Sequence, residues 1–227
     1  MISDKYKCVF IHIPKTAGQS IETFFLSLHG LAWKQRGPLL LRHNPDPMLG
    51  PEHLAHLKAS EYTDFGYLTP DTFNSYFKFS FIRNPWRRLV SEFNYRKYGM
   101  KYSFKEFVFS GLPEKDSYSD AYRHIVPQYD FLHDAAGQLI VDYVGRFETL
   151  QSDFDNVCSK LGISDSRLPH VNPSGLKRWI NIMLKHFFSK NTSTTRHYAS
   201  YYDSETLEFV EKMYCVDISG FGYKFGD

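Results

Sequence analysis

Lys15 and Gly18 fall among small and polar side chains in Phe10-Ile-His-Ile-Pro-Lys-Thr-Ala-Gly-Gln-Ser20, directly behind an apolar run. An apolar strand that ends in a tight turn and passes straight into a helix aims several backbone N–H groups at one point. That is a nest for an oxyanion. Lys15 adds a mobile positive charge at its mouth, and Thr16, Ala17, Gly18, Gln19 and Ser20 supply the amides and hydroxyls of the cradle. The order of residues is not GxxxxGK[ST], so this is not a Walker A loop. A second polar turn follows a second apolar run in Phe79-Ser-Phe-Ile-Arg-Asn-Pro-Trp-Arg-Arg-Leu-Val-Ser91. Arg83 stands at the strand end and Ser91 lies about 9 Å into the helix at 1.5 Å per residue. A guanidinium offers paired donors to a phosphate, and a hydroxyl can complete the bracket. Taken alone, an arginine and a serine eight apart fit equally well an arginine paired with a carboxylate near a helix start. Two anion-binding turns at the ends of two parallel strands suit a ligand with two separated phosphate groups, placed where α/β sheets bind ligands.

The candidate proton acceptors are the histidines of Glu52-His-Leu-Ala-His56. An imidazole that titrates near neutrality can take a proton from an attacking hydroxyl. His56 lies three residues beyond His53, on nearly the same helical face. The pair also has metal-ligand chemistry, but the sequence offers no third ligand beside it. His12, inside the first apolar run, is read as a packed core histidine. Glu148 is read as a carboxylate at a helix N-terminus.

The elements that must carry these residues follow from hydrophobic spacing. Cys8–Ile13, Phe77–Ile82 and Leu139–Val144 are short apolar runs rich in β-formers, the pattern of buried parallel strands. Ser20–Leu28 places Ile21, Phe24, Phe25 and Leu28 on one helical stripe. Pro85–Tyr98 begins with Asn84 as N-cap and Pro85 in the first turn. Ser103 and Glu106 form a capping box, and Thr149–Leu161 and Ser204–Tyr214 are further amphipathic helices. The alternation implies a parallel central sheet with helices on both faces. Gly30–Pro51, dense in glycine and proline, reads as a long substrate-facing loop. Lys177–Ser200 is basic and aromatic, either a solvated face or a lid over an anionic ligand.

Composition narrows the classes. Of 227 residues, 42% are hydrophobic and 23% charged, as in a soluble globular protein, which excludes disordered and collagen-like chains. Lys plus Arg number 27 against 25 for Asp plus Glu, a balance that argues against a dedicated nucleic-acid binder. Cys8, Cys158 and Cys215 are few and far apart, so neither a disulfide framework nor a zinc site is expected and a reducing, cytoplasmic setting is. No run reaches the roughly 18 apolar residues of a membrane span.

The two anion turns resemble those of sulfotransferases that use 3′-phosphoadenosine 5′-phosphosulfate (PAPS), in the branch that includes carbohydrate uronyl and related bacterial enzymes. Phe10–Ser20 resembles the 5′-phosphosulfate loop of that family, and Arg83 with Ser91 its 3′-phosphate pair. Val144-Gly-Arg-Phe-Glu-Thr-Leu150, Leu168-Pro-His-Val-Asn172, Tyr201-Tyr-Asp203 and Gly222-Tyr-Lys-Phe225 extend the similarity over nearly the whole chain. The resemblance implies one domain, residues 1–227, with a P-loop-NTPase-like three-layer sandwich. It implies transfer of a sulfuryl group from PAPS to an acceptor hydroxyl on a carbohydrate, leaving 3′-phosphoadenosine 5′-phosphate (PAP), with no metal. Lys15 would act on the leaving phosphate, and His53, at a position where relatives carry a histidine before a short helix, would be the base ahead of His56. The stretch between the Pro-His-x-Asn segment and the Tyr-Asp pair is lengthened here by Lys177–Thr195, on the acceptor side. Two other classes compete. A nucleotide-dependent kinase would need Mg²⁺ and a Walker-type lysine. A non-catalytic glycan- or polyanion-binding module would draw on the aromatic content and on the basic Lys177–Arg196 stretch.

Overall fold

The computed structural model describes residues 1–116, 118–169 and 197–227. Its sheet has four strands in chain order, β1 (Ile2–Ser3), β2 (Cys8–Ile11), β3 (Phe77–Ile82) and β4 (Tyr143–Arg146). β2, β3 and β4 are parallel, with Phe10 opposite Phe79 and Phe79 opposite Tyr143. β1 runs antiparallel to β2, so the sheet is mixed where the sequence pattern implied a parallel one. Two residues carry no periodicity, which is why this edge strand is invisible in the sequence.

β3 has the predicted limits, and β2 stops two residues early because Pro14 and the turn behind it take the backbone out of the ladder. The third expected strand, Leu139–Val144, is displaced. Leu139 is 51% exposed and forms only an isolated bridge to His133, and the strand proper begins at Tyr143. β4 lies at the sheet edge and carries Gly145 and Arg146, so its own residues are less apolar than the run ahead of it.

The helices that matter for the site are α1 (Gly18–Leu28), α4 (Pro85–Tyr95) and α8 (Leu150–Lys160). Between them lie the short helices α2 (Glu61–Asp64), α3 (Pro70–Ser75), α5 (Phe104–Glu106), α6 (Asp120–Arg123) and α7 (Tyr129–Leu132). Asn84 caps α4, its Oδ1 accepting from the Arg87 amide at 3.1 Å. The Ser103–Glu106 capping box is present at the start of α5. The expected long loop is drawn in as a series of 3₁₀ turns, with Leu39, Leu40 and Leu41 buried. The Lys177–Thr195 stretch lies outside the described residues. Among the described residues no helix is long and apolar enough to cross a membrane.

Alternation along β2 sorts its side chains between two cores. Cys8 and Phe10 join Phe24 and Phe25 of α1, Phe79 and Phe81 of β3 and Phe154 of α8. Val9 and Ile11 join Trp86, Leu89 and Phe93 of α4. Helices therefore pack on either side of β2, and both cores meet the C-terminal strand ends, where the two polar turns emerge.

Phe154 is fully buried, its ring 4.9 Å from that of Phe24 and 6.4 Å from that of Phe81. Truncation leaves a void that the three surrounding elements cannot close. Phe154→Ala should lower unfolding free energy by about 3–5 kcal/mol, read as a shift of the urea midpoint. A midpoint unchanged from wild type would contradict this packing.

Candidate functional site

The turn after β2 is built on two left-handed residues that are not glycine, Lys15 at φ 73° and Ala17 at φ 70°. Ala17 is also the N-cap of α1, makes no side-chain cap, and is followed by no acidic residue in the first turn. The amides of Lys15, Thr16, Ala17, Gly18 and Gln19 have no acceptor among the described residues. Five N–H groups thus gather around the helix start with nothing to bond, and an oxyanion is the chemistry that satisfies them. The Thr16 hydroxyl is spent inside the turn, donating to the Ile13 carbonyl at 2.8 Å. Gln19 and Ser20 are half-buried on the first turn of α1.

Gly18 is required for a close approach. A Cβ there would lie 1.9 Å from His12 Cδ2 and 2.0 Å from His12 Nε2. His12 is buried, as the sequence suggested, but it is not simply packed: its Nδ1 bonds Glu22 Oε1 at 2.6 Å. The ring edge bearing Nε2 lies directly under the turn.

Arg83 reaches the same turn from β3. Its Nη1 donates to the Lys15 carbonyl at 3.1 Å, and its guanidinium stacks over the Phe147 ring at 4.1 Å. Its Nε is buried and has no partner among the described residues. A buried donor left unpaired is costly, and this one sits on a guanidinium already fixed in place. The backbone of Arg83 is clamped at both ends by the Gln128 side chain, which in turn bonds Asp217. Burial, with Arg87 close by, lowers the Arg83 pKa to about 10, still charged at neutral pH. Ser91 lies half-buried two turns into α4, and its hydroxyl bonds no described residue. The structure therefore brings Arg83 and Lys15 together, and leaves Ser91 open on the adjoining helix.

Lys15 itself rests on an aromatic ring. Its Nζ lies 3.6 Å from the centroid of Tyr95, at the end of α4. Burial, joined by the charges of Arg83, Arg96 and Arg88 and opposed by Glu92, lowers its pKa from 10.5 to about 8.

The histidines separate clearly. His53 contacts the rings of His43 and His56, at 5.7 and 6.3 Å, and carries no hydrogen bond from its ring to a described residue. His56 lies deeper. Its Nδ1 bonds Asp120 Oδ1 at 2.9 Å, and its ring is 4.8 Å from that of His12 and 5.1 Å from that of His124. Burial pushes the His56 pKa down to about 3 against the pull of Asp120, so the ring is neutral. The carboxylate of Asp120, despite burial, is held well below the usual range by the His56 bond, the neighbouring histidines and Arg96.

Sequence reasoning missed several residues. Arg88, three positions before Ser91, is fully buried and donates to the carbonyls of Pro14, Val126 and His124 at 3.0, 2.8 and 2.9 Å. Its signal was present, since it shares the arginine-rich turn with Arg83. Tyr95 falls one turn beyond Ser91 on α4, a spacing that helix geometry could have flagged. Asp120, Glu92, Arg96 and His124 carry no local signal. Glu148 does not serve its own helix alone. It accepts from the Asn84 amide at 2.9 Å and from the Tyr223 hydroxyl at 3.2 Å, which docks the C-terminal segment on the arginine turn.

An amide nest with a lysine and an arginine stands at the ends of two parallel strands, an arrangement with the chemistry to take a polyanion. The match to known proteins makes the class specific. A family model described as "Sulfotransferase family" covers residues 1–224, and the chain belongs to that family of transferases. It is 24% identical over 250 residues to "Carbohydrate sulfotransferase 11" of Mus musculus, covering 95% of this chain and 67% of the mouse protein. The Rattus norvegicus protein of the same name matches to the same extent. An uncharacterized Archaeoglobus fulgidus protein is 35% identical over 104 residues, 44% of this chain. No solved structure matches the chain.

The lowered pKa of Lys15 is directly measurable. With lysines reductively ¹³C-methylated, one amine should titrate near 8, well below the 10.5 of an ordinary lysine. Added inorganic pyrophosphate should raise that value, because an anion in the nest favours the charged form. A Lys15 signal titrating near 10.5 without ligand would show a solvated side chain and refute the described geometry.

Proposed function

We propose that the chain transfers a sulfuryl group from PAPS to a carbohydrate hydroxyl. The proposal also carries a P-loop-NTPase-like layered arrangement around the sheet. One observation supports this reading above the rest: five unpaired amides and Lys15 are joined by a single hydrogen bond to an arginine that still has an unpaired buried donor. A nucleotide with phosphate groups at both its 5′ and 3′ positions has the charge and length to use both grips. The donor set fits such a ligand, since the open groups are cations, amides and hydroxyls. The carbohydrate acceptor is inferred from the relatives named above.

When bound, PAPS supplies an activated sulfuryl group. An acceptor oxygen forms the new O–S bond while the S–O bond to the 5′-phosphate breaks, and the electron pair leaves on the phosphate oxygen to give PAP. Lys15 and the amides of residues 15–19 face the charge that grows on that leaving oxygen. Donors fixed in advance where charge develops lower the barrier, because they are stronger in the transition state than in the ground state. Arg83 and Ser91 hold the 3′-phosphate and so set position and affinity more than chemistry. Thr16, Ala17, Gly18, Gln19 and Ser20 form the 5′ cradle. A histidine takes the acceptor proton. His53 is the first candidate by sequence; burial weakens the basicity of His56, but its carboxylate partner Asp120, which partly offsets that loss, and its place beside His12 support His56 for that role.

The two grips should separate in kinetics. Lys15→Ala should cut transfer by about 10²–10³-fold while PAP binding by calorimetry survives in part. Arg83→Ala should weaken PAP binding and raise the donor KM more than it lowers kcat. Full turnover in Lys15→Ala would refute its role.

PAP alone tests the site without an acceptor. At 100 times its Kd it should stabilise the wild-type chain by about 2.7 kcal/mol, seen as a rise in Tm. Arg83→Ala should lose most of the rise. An absent shift at millimolar PAP would remove the nucleotide from the proposal.

A further inference from the structure

His56, Asp120 and His124 each turn one ligand-type atom inward, within 4.8 Å of one another. Two ligands on one zinc ion, at 2.0–2.1 Å each, stand at most about 4.2 Å apart. Two legs of this triangle, 2.9 and 3.6 Å, fall inside that span, but its atoms are already engaged by hydrogen bonds and ion pairs. His56 Nδ1 is 2.9 Å from Asp120 Oδ1, and Arg96 Nη2 lies on Asp120 Oδ2 at 2.6 Å. Arg96 Nε bonds Glu92 Oε1 at 2.6 Å, and Glu92 Oε2 bonds His124 Nδ1 at 2.6 Å. His124 Nε2 comes back to 3.6 Å from Asp120 Oδ1. Asp120, Arg96, Glu92 and His124 close a ring built on α4, α6 and the residue that follows each, and His56, at the end of a 3₁₀ turn, hangs from it through Asp120.

Asp120 stands in the first turn of α6, where a carboxylate ordinarily serves its own helix. Here Ser119 caps α6, accepting from the Tyr122 amide at 3.2 Å, and the Asp120 side chain is turned instead to a histidine 64 residues away. With Nδ1 on Asp120, the opposite edge of His56 carries Nε2, which bonds no described residue. The neighbouring ring is His12, which lies under the Gly18 turn of the anion nest.

We propose that Asp120 is a positioning residue for the transfer reaction: it keeps the His56 proton on Nδ1 and so leaves Nε2 bare toward the acceptor hydroxyl. Arg96, Glu92 and His124 hold the carboxylate in that orientation. The inference rests on the sulfuryl-transfer reading given above. In the reaction the acceptor O–H proton passes to His56 Nε2, and the imidazolium that forms is stabilised by Asp120, which stays ionised. The charged and titratable groups around His56 include Asp120, His12, His53, His124 and Arg123, which donates to its carbonyl at 3.3 Å, with Glu22, Glu61, Glu92, Arg96 and Lys15 behind them.

Long-range ¹H–¹⁵N correlations on the ¹⁵N-labelled full chain read the tautomer directly, and turnover of PAPS with mixed neutral and uronic-acid oligosaccharides reads the rate. The wild type should show His56 protonated at Nδ1 and bare at Nε2. In Asp120→Asn the amide can donate to Nδ1, so the proton should move to Nε2, and transfer should fall by about 10²-fold or more with PAP affinity within about threefold of wild type. A His56 protonated at Nε2 in the wild type overturns the inference with no variant needed. So does an unchanged rate in Asp120→Asn, an equal loss of PAP affinity, or tight one-to-one zinc binding that shifts both His56 and His124. A wild-type chain that releases no PAP from PAPS overturns the functional reading and this inference together; the other failures leave the functional reading standing.

Discussion

The backbone between Ile13 and Gly18 is held in a conformation it would not adopt by itself, and the site depends on what holds it. Lys15 and Ala17 both sit at left-handed φ, which costs a non-glycine residue on the order of 1–3 kcal/mol. The surroundings over-determine the turn. Thr16 ties it to Ile13 from within, Arg88 grips the Pro14 carbonyl, Arg83 grips the Lys15 carbonyl, and His12 permits only a glycine at position 18. The result of that constraint is a run of five backbone amides, residues 15–19, with no acceptor among the described residues.

The two arginines that hold the turn do so under opposite conditions. Arg88 is fully buried and hydrogen-bonded to three carbonyls, so it behaves as a structural brace between the turn, α4 and the segment around Val126. Arg83 spends one nitrogen on the turn, leans on Phe147 and keeps Nε unpaired. Residues five apart in one motif thus divide the work, one bracing the turn from inside and the other reaching it with a donor still unused among the described residues. Lys15 is treated similarly: with its charge destabilised by burial, it rests on Tyr95 rather than on a carboxylate. An aromatic face holds an ammonium less tightly than a buried ion pair, so the lysine stays available to an incoming anion.

The parts of this arrangement that were legible in the sequence are those written in contiguous residues. β2 is an unbroken apolar run and β3 sets four apolar residues around Lys78 and Ser80, which is why both could be read. The edge strand β4 failed that test because Leu139, Ile140 and Val141 form the more apolar run yet belong to the approach, while the strand itself carries Gly145 and Arg146. Both polar turns were readable because a strand end, a polar turn and a helix start are adjacent in the chain. The histidine–carboxylate cluster was not. Its members at positions 56, 92, 96, 120 and 124 meet only through tertiary packing, and an imidazole beside a carboxylate leaves no spacing to detect when 64 residues separate them.

The bond from Arg83 to the Lys15 carbonyl has a mechanical consequence. The two polar turns are linked through one strut, so a load on the guanidinium would be felt by the strained peptide that aims the lysine. A ligand filling only one end would leave the other end slack and cost alignment of the reacting atoms as well as adhesion. Selectivity for a doubly phosphorylated nucleotide over its singly phosphorylated analogue would then be expressed in the speed of the bound complex, beyond any difference in how tightly each is held.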